Sequence, residues 1–101
     1  MSSIQTAEKE VIRVEILEML SLTGEAGAGE KVLQAALKKA GYELSGEEIL
    51  QQLSYLKEKG LVRTVEVKNP RLGIRRTVAY ITAAGTDYLE GNGGEILGVG
   101  E

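Results

Sequence analysis

Apolar side chains recur at helical spacing between Thr6 and Leu22. At about 100° per residue, Ile12, Ile16, Met19 and Leu20 fall together on one face of a helix. Thr6 is a residue type that caps a helix start, and no Gly or Pro interrupts the run. Ala7, Val11 and Val14 lie on the other side among Glu10 and Glu18, with Leu17 between the two faces. That weaker apolar face suits packing against a second copy of the chain, and equally suits a helix surrounded by others within one monomer. The same spacing returns from Glu30 to Ala40, where Leu33, Ala36, Leu37 and Ala40 share a face and Gly41 supplies a left-handed stop. Glu30 at its start and Lys38 and Lys39 at its end match the helix dipole. After the turn Tyr42-Glu43-Leu44, Ser45-Gly46-Glu47-Glu48 has the Ser-x-x-Glu form of a capping box. It opens a third helix that runs to Lys59, with Ile49, Leu53 and Leu56 inward, Leu50 at the edge and Gly60 as the stop.

Beyond Gly60 the period falls to two. Val62, Thr64, Glu66 and Lys68 alternate with Leu61, Arg63, Val65 and Val67, as a strand requires. Arg76 to Ile81 is a second strand, rich in β-branched and aromatic residues. Asn69-Pro70-Arg71-Leu72-Gly73 between them is turn chemistry, so the pair predicts a hairpin. Thr82 then caps a short closing helix that Gly91 ends. Two segments read as flexible: the loop Thr23 to Gly29, with three glycines in seven residues, and a Gly-rich tail from Asn92 to Glu101. The loop is no phosphate cradle, because Gly29-Glu30-Lys31 sets a carboxylate where Gly-Lys-Ser/Thr is needed. The pattern therefore predicts one α+β domain over residues 1–91, of three helices, a two-stranded hairpin and a short C-terminal helix, followed by the tail 92–101.

Composition narrows the chemistry. With 101 residues the chain supports one core. It contains no Cys and no His, which removes disulfides, thiolate and imidazole metal sites, Cys nucleophiles and a His general base. Glu47 and Glu48 are neighbours on a helix and do not converge, and Ser45, Ser54 and Thr82 have no His partner for nucleophilic work. No catalytic residue, metal site or cofactor is expected. No apolar run approaches the roughly 20 residues needed to cross a bilayer, and Met1 to Gln5 lacks the basic and apolar regions of a signal peptide. The expectation is a cytoplasmic, non-enzymatic protein with no membrane association.

The net charge is −3, but it is unevenly spread. No acidic residue occurs from Val67 to Thr86, a window that holds Lys68, Arg71, Arg75 and Arg76. The remaining eight basic and fifteen acidic side chains carry −7. One end of the molecule is thus positive.

The stretches Leu53-Ser54-Tyr55-Leu56-Lys57-Glu58-Lys59-Gly60-Leu61-Val62 and Ile81-Thr82-Ala83-Ala84-Gly85-Thr86-Asp87-Tyr88-Leu89-Glu90-Gly91 resemble a recognition helix entering a first wing strand, and the closing helix of many microbial regulators. With the order of elements, residues 6 to 91 resemble the winged helix-turn-helix superfamily. The second stretch, with its Gly-rich tail, is also similar to small winged-helix proteins of Mu-like transposable phages and prophages. The resemblance implies double-stranded DNA as partner, the helix from Gly46 to Lys59 in the major groove, and the hairpin as a wing on the backbone or minor groove.

On the helical wheel the solvent face of that helix comprises Glu47, Glu48, Gln51, Gln52, Tyr55, Glu58 and Lys59. Gln51 or Gln52 suits a bidentate contact to adenine, and Tyr55 a phosphate. The three glutamates oppose phosphates, although Glu48 and its neighbour are accounted for by the capping box and the helix dipole. Lys68, Arg71, Arg75 and Arg76 are the stronger candidates for phosphate contact. Strand alternation sets Arg75 with Thr77 on one face and Arg76 with Val78 on the other. A basic hairpin also deters strand addition, which needs no ligand. Two functions remain open: a DNA-binding regulator, dimeric through the helix Thr6 to Leu22, and a protein-interaction module whose acidic helix face and basic wing meet other proteins, as in phage development or assembly.

Overall fold

The computed structural model describes residues 6–91, with side chains from residue 8; the expected tail 92–101, the capping role of Thr6 and the placement of Ala7 lie outside the described residues. In order, the elements are α1 (Thr6–Thr23), a 3-10 turn (Gly24–Ala26), β1 (Ala28–Gly29), α2 (Glu30–Lys39), α3 (Gly46–Glu58), β2 (Val62–Asn69), β3 (Ile74–Ile81) and α4 (Ala83–Gly91). The chain is an α+β fold of four helices on a three-stranded antiparallel sheet. α1 crosses the middle and packs on α2, α3, α4 and the sheet. This position widens its buried stripe. Leu17 is fully buried beside Ile12, Ile16 and Leu20, whereas Met19 is only half-buried. A helical wheel sets Leu17 between faces because it assumes one packing direction, and α1 has several. Val11 and Val14 are half-buried within the monomer.

Local chemistry fixes the ends of α2 and α3. At the end of α2, Tyr42 N donates to Leu37 O at 2.8 Å and Gly41 N to Lys38 O at 3.0 Å, with Gly41 at φ +99°. The same pair of bonds closes α3, from Leu61 N to Leu56 O and from Gly60 N to Lys57 O, with Gly60 at φ +77°. These are Schellman stops, and they need a residue free of Cβ strain at the turn. Ala40 caps α2 and is exposed, not part of its buried face, because the helix has ended before that position. The capping box forms as its sequence dictates. Glu48 N donates to Ser45 Oγ at 3.1 Å and Ser45 N to Glu48 Oε1 at 2.8 Å. Replacing Ser45 with alanine is expected to lower stability by about 1 kcal/mol, read as a shift of the urea midpoint at constant slope; an unchanged midpoint would remove the box from the account.

The loop Thr23 to Gly29 is tied into the fold by backbone hydrogen bonds. Gly27 N bonds Gly24 O at 3.2 Å, and Ala28 and Gly29 pair with Ala79 and Val78. Gly27, at φ +68°, lies so close to the sheet that a Cβ would fall 2.6 Å from the Tyr80 ring and 2.7 Å from Ala79 O. Its glycine permits this close approach and the positive φ. The sheet order is β1-β3-β2, with three strands where the sequence predicted two. β2 and β3 pair from Val62 with Ile81 to Asn69 with Ile74, so β3 begins two residues before the predicted start. Val62 and Ala79 are buried on the face toward the helices, and Thr82 seals the root of the hairpin: its hydroxyl donates to Gly60 O at 2.7 Å and accepts from Gly85 N at 3.0 Å.

Candidate functional site

The hairpin carries the basic residues, and its register sorts them. Lys68 pairs with Arg75, Glu66 with Thr77 and Val67 with Arg76. Pleating therefore puts Lys68, Arg75 and Glu66 on the face that holds Val62 and Ala79, beyond the point where the helices cover it. Glu66 binds both cations: Arg75 Nε donates to Oε2 at 3.2 Å, and Lys68 Nζ stands 3.8 Å from Oε1. The partners are well exposed, so these pairs add little stability. They do neutralise charge. The acid-free window began at Val67, one residue beyond the carboxylate that controls two of its four cations.

Arg71 and Arg76 remain exposed, and neither makes an ion pair among the described residues. Arg71 sits in the turn. Arg76 lies on the outer face, among exposed Val65, Val67 and Ile74, with Leu72 at the tip 67% exposed. Further down the same face the Arg63 guanidinium is 4.2 Å from the centre of the Tyr80 ring. The sequence signal of this apolar outer face is the alternation of Val65 and Val67 along β2. Arg75 and Arg76 also border a cleft of about 590 Å³ whose opposite wall is β1 and the start of α2, at Glu30 and Lys31.

On α3 the expected surface is smaller than the wheel suggested. Gln51 is exposed, but Gln52 is only 4% exposed and accepts from Arg13 Nε at 2.8 Å. It is withdrawn from any outer contact. The reason is positional: Gln52 lies three residues after Ile49 and four before Leu56, so it shares their buried stripe, and α1 covers it. Tyr55 is exposed at its edge, with the Arg13 guanidinium 3.6 Å from the ring centre and Lys59 Nζ at 5.5 Å. Glu47 and Glu58 are exposed, while Glu48 is engaged in the cap. The accessible set is thus Gln51, Tyr55 and Lys59 on one element, with Arg71 and Arg76 on the other; Lys68 and Arg75 share Glu66.

Among the described residues, no helix is long and apolar enough to cross a membrane, and no group of three or more acidic side chains is placed to hold a metal ion. No family model matches the chain, and no curated protein matches it. A solved structure does. The crystal structure of a protein from Thermoplasma acidophilum, named as a candidate transcriptional regulator, superposes with a TM-score of 0.77 at 24% identity, over 96% of this chain and 88% of that one. The likeness is one of fold.

Proposed function

We propose that this chain is a winged helix-turn-helix regulator that binds double-stranded DNA, with α2 and α3 as the helix-turn-helix and the β2–β3 hairpin as its wing. The observation that carries the reading is two exposed arginines on a projecting hairpin, Arg71 and Arg76, that make no ion pair among the described residues. Long cations on such a projection reach phosphates without reading sequence. The regulator name of the structural neighbour supports the same reading. α3 adds base contact through Gln51 alone of its two glutamines, so specificity is modest. A cytoplasmic location, a source among phages or prophages, and pairing of two copies through α1 belong to this proposal.

The test is fluorescence anisotropy with labelled duplex DNA at two salt concentrations. Affinity is expected to fall steeply with salt, and no measurable binding at 50 mM salt would overturn the reading. Glu66→Gln adds a sharper arm. Releasing Lys68 and Arg75 from their shared carboxylate is expected to tighten DNA binding about fivefold at 0.1 M salt; an unchanged affinity would mean that the hairpin does not face the phosphates.

A second reading rests on the outer face of the hairpin. Val65, Val67, Ile74 and Leu72 form an exposed apolar surface around Arg76, which suits a protein partner better than a polyanion. Under that reading Val67→Asp abolishes partner binding, while Glu66→Gln leaves the protein without affinity for DNA.

A further inference from the structure

α1, α3 and α4 border a cleft of about 380 Å³, within the roughly 300–1,000 Å³ common for small-molecule sites. Its floor is apolar, from Val14 and Leu17 on α1 to Leu56 on α3 and Leu61 just beyond that helix. Leu17 and Leu56 belong to the main core, so the floor is backed by packed protein. The rim is aromatic and polar, with Arg13, Tyr55, Lys59 and Tyr88 around it and Glu10 as its acid.

Two cations against one carboxylate leave the lining positive. Neither Arg13 nor Lys59 makes an ion pair among the described residues. Both are held against the Tyr55 ring, and Arg13 is fixed further by its Nε bond to Gln52. That bond uses one edge of the guanidinium and leaves its Nη groups to meet an acceptor. Burial pushes the Tyr88 phenol above its ordinary value of 10.0, with Tyr55 and Glu10 adding to the effect. Its hydroxyl therefore stays neutral through the physiological range.

We propose that this cleft binds a small, flat, singly charged carboxylate, with its ring against Val14 and Leu61, backed by the buried Leu17 and Leu56, and its acid at Arg13 and Lys59. The two pre-positioned cations select the charge, and the leucine floor beside tyrosine rings selects a planar apolar body. Occupancy engages Tyr55 and Lys59, which also belong to the outer surface of α3 and its C-terminal cap. A bound acid therefore draws on the side chains that this helix presents to any other partner.

The experiment is a titration of the folded chain with 2-naphthoate, followed by amide and methyl NMR shifts. Acetate serves as the charge without the ring, and 2-naphthylmethylamine as the ring with the charge reversed. Saturable shifts are expected at Arg13, Leu17, Tyr55 and Leu61, with the amine and acetate each binding at least about tenfold more weakly. Arg13→Gln is expected to weaken 2-naphthoate about tenfold and Lys59→Gln about fivefold. Because Lys59 is exposed, that variant keeps the test independent of any folding defect in Arg13→Gln. Shifts that do not saturate, that centre on the hairpin, that survive Lys59→Gln unchanged, or that the amine reproduces at equal strength would overturn the proposal.

Discussion

Replacing Gly85 with valine is expected to destabilise the chain by about 3 kcal/mol or more. Gly85 lies in the first turn of α4 and is buried. A Cβ built there would meet the Leu61 carbonyl oxygen and fall 2.7 Å from Ile81 Cγ1 and 3.2 Å from the Leu61 carbonyl carbon. The Leu61 backbone has little room to yield. Its N–H closes the Schellman stop of α3 and its carbonyl accepts from Thr82 N at 3.1 Å. Even alanine is expected to cost about 2 kcal/mol, against the roughly 1 kcal/mol that alanine gains over glycine by helix propensity. The sign therefore decides between packing and propensity. Urea unfolding followed by circular dichroism measures it, and a Gly85→Ala variant as stable as the parent would refute the close approach.

Under the proposed DNA binding, the largest functional effect is expected from Arg71→Ala combined with Arg76→Ala. Each phosphate contact contributes about 0.9 to the slope of log affinity against log salt. Losing two lowers the slope by about 1.8, and at 0.1 M salt weakens duplex binding about 60-fold relative to extrapolation at 1 M. The matched pair Lys68→Ala with Arg75→Ala removes the same formal charge, yet is expected to lose far less. Those two side chains already share Glu66, so less of their charge is open to phosphates before the substitution. Anisotropy titrations across salt compare the two directly. Equal losses from the two pairs would show that the internal ion pairs do not govern the hairpin.

The features legible in the sequence were the ones set by residues close along the chain. Ser45 and Glu48 form their box three residues apart, and Gly41 and Gly60 stop α2 and α3, because caps and stops are chemistry within one turn. What escaped depends on distant partners. β1 is two residues long and exists only through its pairing with Ala79 and Val78. Leu17 and Gln52 sit at the edge of a helical wheel, where burial is decided by how many neighbours surround the helix. The pairing of charges on the hairpin was not legible for a related reason. Net charge in a window of sequence ignores register, and it is the register of β2 on β3 that puts Glu66 on the same face as Lys68 and Arg75.

The root of the hairpin has a consequence for how this fold tolerates change. Thr82 bonds to Gly60 O, Leu61 O and Gly85 N, so the whole excursion from β2 to β3 begins and ends at one pinned point. Residues at the tip touch none of the core, and lengthening a closed loop costs only about 0.6 kcal/mol for each doubling. Insertions and new charges between Asn69 and Gly73 are thus nearly neutral for folding, whereas the root admits almost none. The tip is an exchangeable part on a fixed mount, free to acquire a different ligand while the helices beneath it stay as they are.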